Sequence, residues 1–228
     1  MRVFASYHQR QNSPVVSDDF FSSSFSVYNS WGKRAFDIVL ALMLLPLLAP
    51  IIFGLWLYVR RDGGNGFFGH NRVGHDNTSF KCWKIRSMVV DAEERLATYL
   101  KENPAAAEEW ERDHKLTNDP RITRFGQFIR KTSLDELPQI WNVLKGEMSF
   151  VGPRPVVTKE LEKYGHSLPA YLAQKPGITG LWQVSGRNDI SYAERVQLDV
   201  QYLEKRSFRT DIKIILKTAL AVVAPTGR

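Results

Sequence analysis

Residues 38–59 read IVLALMLLPLLAPIIFGLWLYV, a run without a single charge. At about 1.5 Å per residue, a straight helix of this length reaches about 33 Å, enough to cross the apolar core of a bilayer. Two features argue against a plain span. Pro46 and Pro50 fall near its middle, where each deletes a backbone hydrogen bond and kinks a helix. Both flanks are basic, with Lys33 and Arg34 before and Arg60 and Arg61 after. Positive charge marks the cytoplasmic side, so a spanning helix carries it mainly at one end. Two cytoplasmic ends joined through a proline break describe a re-entrant hairpin that dips into one leaflet and returns. A kinked spanning helix and a buried core helix are the alternatives.

Outside this run the chain has ordinary globular make-up. Its 228 residues are 43% apolar and 24% charged, which suits one domain, or one domain with an appendage. A mean hydropathy of −0.28 excludes many spans. A lone cysteine, Cys82, excludes an intramolecular disulfide and makes a reducing compartment the simplest home. The net charge of +7 suits phosphate-rich partners: nucleic acid, an anionic membrane surface, or nucleotide and lipid phosphates. No nucleic-acid partner is expected, because the chain has neither a recognition helix nor an RNP-like aromatic stretch. Residues 1–30, Ser-rich towards their end, sustain no period and read as a mobile tail. They do not open with a basic stretch and a short apolar core, so no cleaved signal peptide is expected.

The Gly-rich stretch at 61–74 contains Gly64, Gly66 and Gly69 in dinucleotide-fingerprint spacing. No strand precedes it and no helix opens from it, so it reads as a turn leading into a short strand, with a second strand around Ser79–Ile85. Residues 91–113 read as a helix that Pro104 interrupts; its eight acids against three bases mark a solvated face. Lys115, Arg121, Arg124, Arg130 and Lys131 then reverse the sign and should face phosphate or membrane. Towards the end, Ile212, Ile215, Leu216, Ala219, Leu220 and Val223 recur at helical spacing. That helix packs on the domain by default, and lying on a membrane surface is the sharper option.

The segment from Ser133 to Gly146 has a start, a body and a stop. Ser133 with Glu136 fits a capping box, and a cap at Asp135 would instead place Pro138 where the backbone N–H is free anyway. Leu137, Ile140, Trp141 and Leu144 are expected to form the buried face, and Gly146 ends the helix. One reading of Asp135 and Glu136 is as capping carboxylates only. They point about 100° apart, so they cannot straddle a glycosidic bond. They can divide labour, one as nucleophile and the other holding a metal ion. An anionic nucleophile attacking phosphate needs charge neutralisation from Mg²⁺ and from Arg or Lys. Arg121, Arg124, Arg130 and Lys131 precede the pair, and Arg154 and Arg187 follow it. Pro153 and Pro155 fix the backbone around Arg154, presenting its guanidinium at little entropic cost. Pro176–Gly180 and Ser185–Asn188 are Gly-bearing turns whose backbone can approach a ligand, or are turns and nothing more. His8, His70, His75, His114 and His166 have no zinc-site spacing.

In combination these segments are far more specific. KRAFD at 33–37, the proline-broken apolar run, SLDELPQIWNVLKGEMSFVGPRP at 133–155, PGITGLWQVSGRN at 176–188 and LDVQYL at 198–203 resemble the bacterial sugar transferases. These are monotopic phosphoglycosyl transferases that load a sugar phosphate onto undecaprenyl phosphate. The resemblance covers roughly residues 31–225 and is nearest to the exopolysaccharide galactose-phosphate transferases. It implies a ping-pong reaction at the cytoplasmic face of the bacterial inner membrane. Asp135 matches the aspartate that attacks the β-phosphate of a UDP-sugar, releasing UMP, before undecaprenyl phosphate takes the phosphosugar. Glu136 matches the partner carboxylate that binds Mg²⁺. Arg130, Arg154, Arg187 and Asp199 are the expected substrate-binding residues, and Pro46 and Pro50 the membrane kink. Family members often have Ser before the helix-breaking proline, where this chain has Ala49, so Pro46 is expected to reinforce the break at Pro50. Galactose is the donor sugar by resemblance, glucose the next.

The expected architecture is mainly α with a small β-hairpin: a tail at 1–30, a re-entrant proline-kinked membrane hairpin at 31–61, and a compact cytoplasmic catalytic domain at 62–228. A non-catalytic membrane-anchored scaffold of polysaccharide assembly is the reading in which Asp135 and Glu136 only cap a helix.

Overall fold

The computed structural model describes residues 28–113, 115–186 and 190–223. Residues 1–27 of the tail expected over 1–30 therefore lie outside the described residues, as does Arg187.

The uncharged run becomes one helix, α1 (Lys33–Val59), preceded by a π-helical turn at Tyr28–Gly32. Pro46 and Pro50 lie within the helix, which is long and apolar enough to cross a membrane. Leu40, Ala41, Leu44, Leu45, Leu48 and Ile52 form a stripe at helical spacing and pack against the domain core. Val39, Met43, Leu47 and Leu57 are exposed, Met43 at 71% and Leu47 at 64%. An apolar face on both sides explains why this segment carries no alternation in sequence.

Both ends of α1 are tied to the same domain. At the N-terminal end, buried Asp37 accepts from Ser149 Oγ at 3.0 Å and from the Phe150 N–H at 3.1 Å. Lys33 donates to Asp211 at 2.7 Å. Asp211, wholly buried, also accepts from the hydroxyls of Tyr28 and Tyr202, at 2.6 and 2.7 Å. Three donors round one carboxylate satisfy a charge that burial would otherwise make costly. At the C-terminal end, Trp56 stacks on Phe67, Tyr58 meets Phe125 with centroids 4.2 Å apart, and the Val59 carbonyl accepts from Arg86.

The domain opens with an antiparallel hairpin, β1 (Phe67–Val73) and β2 (Ser79–Ile85), with Phe68 opposite Lys84, His70 opposite Cys82 and Arg72 opposite Phe80. Two acidic helices follow, α2 (Ala92–Glu102) and α3 (Pro104–Asp113), broken at Pro104 as the sequence indicates. Next come α4 (Arg124–Lys131), a 3₁₀ turn at Leu134–Glu136 and α5 (Gln139–Lys145), which ends on Gly146 in the left-handed region. Strands β3 (Ser149–Val151) and β4 (Gly177–Thr179) pair in parallel. Between them lie a 3₁₀ stretch at Thr158–Ser167 and α6 (Leu168–Leu172). Three further helices follow among the described residues: α7 (Leu181–Ser185), α8 (Tyr192–Lys205) and α9 (Phe208–Val223).

One core joins α1, β2, α5, β3 and α9 through Phe80, Ile140, Val143, Met148 and Ile214. A second gathers Val73, Val156, Tyr164, Tyr171 and Val196. Two expectations about faces need correction. Trp141 is 57% exposed, not buried, because α5 is only two turns long and packs through Ile140 and Val143. On α9 the packed face runs through Asp211, Ile214 and Ile215, and Thr218 bonds to Thr179, leaving Leu216 and Leu220 at 58% and 68% exposure. The three donors on Asp211 fix the rotation of α9 that turns those two leucines outward.

Candidate active site

Asp135 is 6% exposed and sits in the 3₁₀ turn between α4 and α5. Both capping readings fail. Ser133 adopts φ 57° and its side chain makes no cap bond, while Pro138, not Asp135, stands immediately before α5. A non-glycine residue held in the left-handed region costs about 1–3 kcal/mol and marks a turn that the surroundings over-determine. This turn delivers both carboxylates to the face of the β-hairpin.

There Lys84 binds them together. Its ammonium lies 2.6 Å from Glu136 Oε1 and 3.8 Å from Asp135 Oδ2, so it chiefly holds Glu136 and screens Asp135. Burial pushes the Asp135 carboxyl above the ordinary aspartate range; Lys84 pulls it back, Glu136 adds to the rise, and Arg130 also lowers it. The sequence reading passed over Lys84, although it carries a signal: it stands in period-two register with buried Phe80 and Cys82, an inward place where lysine is rare. Cys82, next inward on that face, is no nucleophile. Burial pushes its thiol up to about 11.

Arg130 reaches the site from the last turn of α4, its Nε donating to Ser87 Oγ at 2.7 Å. Gly126 lets α4 seat there, since a Cβ would fall 1.9 Å from the Ser87 carbonyl oxygen. Thr123 caps the same helix by accepting from the Gly126 N–H. Arg154 is held by its neighbours as the two prolines suggest. The Pro153 carbonyl accepts from Gly177, and Val156 bridges to Val73 on β1. This brings Arg154 close enough to Arg72 for their charges to lower the pKa of Arg72, after burial, the larger cause. Arg72 in turn lies 3.6 Å from Glu160. Arg72, His70 and Lys84 share one face of the hairpin, and burial with the charges of Arg72 and Lys84 holds His70 below the usual histidine range. Arg124 is exposed on α4, and Arg121 is paired to Asp119 at 2.6 Å instead of the carboxylate pair.

Asp199 lies elsewhere, on α8 in the second core, accepting from Tyr164 Oη at 2.9 Å. It shares no hydrogen bond or ion pair with Asp135, Glu136 or Lys84 among the described residues. Burial raises its carboxyl to about 7, against the lowering effects of Tyr164 and Arg195. Unfolded, this group ionises near 4; folded, it keeps its proton to about 7. Stability from this group is therefore lost as pH rises through that window and is level above it. Asp199→Asn should show a melting temperature that gains on wild type from pH 4 to 7, by up to about 1 kcal/mol per pH unit in stability, then holds a constant lead. A lead independent of pH would contradict it.

A divalent cation fits this donor set. Glu136 is about one-third exposed with only Oε1 engaged by Lys84. Mg²⁺ typically takes one or two carboxylates and completes its shell with water and substrate phosphates. Among the described residues no three His, Cys, Asp or Glu side chains gather into a cage, so substrate oxygens would have to contribute.

Residues 28–225 match the family model described as bacterial sugar transferase. The chain is 55% identical over 195 residues to the UDP-galactose-lipid carrier transferase of Erwinia amylovora, covering 86% of this chain and 41% of that protein. It is 53% identical to the undecaprenyl-phosphate galactose phosphotransferase of Salmonella typhimurium, with the same coverage. It is 49% identical to the exopolysaccharide production protein ExoY of Rhizobium meliloti, covering 86% of this chain and 87% of that one. The chain thus spans about two-fifths of the length of the first two relatives and most of the third. With the carboxylate pair and the surrounding cations in place, the match over nearly the whole described chain decides the assignment: this chain belongs to the bacterial sugar transferase family.

Proposed function

We propose that the protein transfers a sugar 1-phosphate, with galactose the leading sugar, from a UDP-sugar to undecaprenyl phosphate, as the first membrane step of exopolysaccharide biosynthesis. The observation that carries this reading is a buried aspartate beside a lysine-held glutamate, faced by Lys84 and Arg130. A carboxylate so placed is shielded from water and screened by positive charge, as attack on a phosphate requires. The relatives named for galactose phosphotransfer to a lipid carrier support the substrate class.

In the first half-reaction an Asp135 oxygen attacks the β-phosphorus and the bond to the α-phosphate oxygen breaks. UMP leaves with the electron pair, and a phosphosugar stays on Asp135. In the second, an oxygen of the lipid phosphate attacks the same phosphorus, the aspartyl oxygen leaves, and a sugar–diphosphate lipid departs. Lys84 holds Glu136 in place, and Arg130, Arg154 and Arg72 supply positive charge for the phosphates. Mg²⁺ held by Glu136 and the diphosphate would supply further charge neutralisation. Arg187 and Asp199 are proposed to assist substrate binding, Asp199 through the Tyr164 network rather than by contact with the carboxylate pair. The test is UMP release across a panel of UDP-sugars, with undecaprenyl phosphate in detergent and Mg²⁺. Fastest release from UDP-galactose is expected, and no release from any UDP-sugar would overturn the reading.

We further propose that α1 enters one leaflet and returns, with the domain on the cytoplasmic face. Bonds from both of its ends to one domain support this, as does the stripe of α1 packed on that domain. In intact cells, Trp31→Cys and Asn65→Cys, each in a Cys82→Ser background, should both resist a membrane-impermeant thiol reagent. Labelling of the first site alone would mean a full span.

A further inference from the structure

A second cluster of cations, separate from the Asp135 site, lines a cavity of about 190 Å³ where the start of α1 meets β3, α6 and α8. Lys33, Arg34, Lys175 and Arg206 contribute to its walls, with Asp37 and Gln174. Lys33 is neutralised by Asp211 and Asp37. The others are not. Arg34 spends its guanidinium on the carbonyls of Val143 and Leu144, at 2.5 and 2.8 Å. Arg206 donates to the Asn29 amide oxygen. Lys175 has no carboxylate within 4 Å among the described residues. The closeness of Arg34 and Lys175 can be read from Gly146: a Cβ placed there would lie 3.4 Å from Arg34 Nη2 and 3.5 Å from Lys175 Nζ. Burial, then the charge of Arg34, hold the Lys175 ammonium below the usual lysine range; Asp37 opposes them and Lys33 adds to the fall.

Like charges gathered in a partly buried cavity repel unless an anion joins them. A second observation concerns hydrogen bonding. Gln174 is 1% exposed, and its amide nitrogen donates to the carbonyls of Ala170 and Asp199. Gln174 lines the same cavity, and its buried Oε1 has no donor. A buried acceptor left unpaired costs free energy that a ligand O–H would recover. The cavity also stands at a defined height on α1. Asn29, Lys33, Arg34 and Asp37 line it, level with exposed Trp31, a residue type favoured at membrane interfaces, and the exposed apolar stripe starts beyond them at Val39.

We propose that this cavity binds the headgroup of an anionic, hydroxyl-bearing phospholipid of the phosphatidylglycerol type, its phosphate between Lys175, Arg34 and Arg206 and a glycerol hydroxyl donating to Gln174. This rests on the membrane reading above, and two separate measurements keep the two apart. Flotation with phosphatidylcholine vesicles tests the membrane reading alone. Melting of the full chain in detergent, with dihexanoyl phosphatidylglycerol, dihexanoyl phosphatidylcholine or inorganic phosphate added, tests the site. Phosphatidylglycerol at about a hundredfold over half-saturation should raise the melting temperature by about 5 °C, and phosphatidylcholine should not. An equal rise from inorganic phosphate would keep the anion site but overturn its lipid occupant.

Lys175→Met should abolish the rise while melting no lower than wild type without lipid, because it removes an unpaired cation. A structural role for Lys175 predicts a drop instead. Lys213→Met, exposed on α9, should keep the full response. No response to phosphatidylglycerol, an equal response to phosphatidylcholine, or a response that Lys175→Met retains would each overturn the site. Protein that floats with vesicles yet shows no such response would leave the membrane reading standing without it.

Discussion

Asp135→Asn is expected to lower UMP release by at least about 10³-fold while leaving the fold intact or slightly more stable. The two halves of this expectation have different physical origins. The amide cannot act as the anionic nucleophile, and removal of a covalent nucleophile is among the largest single-residue effects in catalysis. Stability goes the other way because burial disfavours the charged carboxyl, and a neutral isostere of the same volume removes that cost. Incubation of wild type with a UDP-sugar and no lipid acceptor should add the mass of one sugar phosphate to the protein, and the variant should show none. Wild-type-like turnover by Asp135→Asn would exclude the covalent route.

Lys84→Met should cost about 10²-fold in kcat/KM at neutral pH and move the acid limb of the pH profile upward. Lys84 lies between two adjacent carboxylates, nearer Glu136 than Asp135. Without it the Glu136 charge acts on Asp135 unopposed except by Arg130, and the nucleophile holds its proton to higher pH. Substrate phosphates would also lose one positive neighbour. Lys84→Arg should recover part of the rate, since the charge returns with a different reach. An acid limb that stays in place in Lys84→Met would show that Lys84 only positions Glu136.

Much of this site was legible in one dimension because its parts lie in short continuous segments. Asp135, Glu136 and Pro138 share one turn, and Arg154 carries its own prolines. The capping interpretation of that turn failed because Ser133 takes a left-handed conformation that no propensity scale favours for serine. Lys84 went unnoticed because it lies 51 residues from Asp135 and is brought near by strand register. Asp199 stood in a motif, but its burial beside Tyr164 depends on the packing of α8 against the 3₁₀ stretch before α6.

The sequence by itself determined the long apolar helix, the hairpin strands, the break at Pro104 and the carboxylate pair, since each follows from local pattern: an uncharged run, alternation, a proline, a dipeptide beside cations. Only the tertiary structure decided which side of α1 meets the domain, because both of its faces are apolar and no periodic signal separates them. It also decided what the charges do. Asp37 and Asp211 neutralise Lys33, while Arg34, Lys175 and Arg206 face a shared cavity without a carboxylate of their own except the one Lys33 already engages. Coulomb energies depend on distance and burial, and a chain fixes neither until it folds.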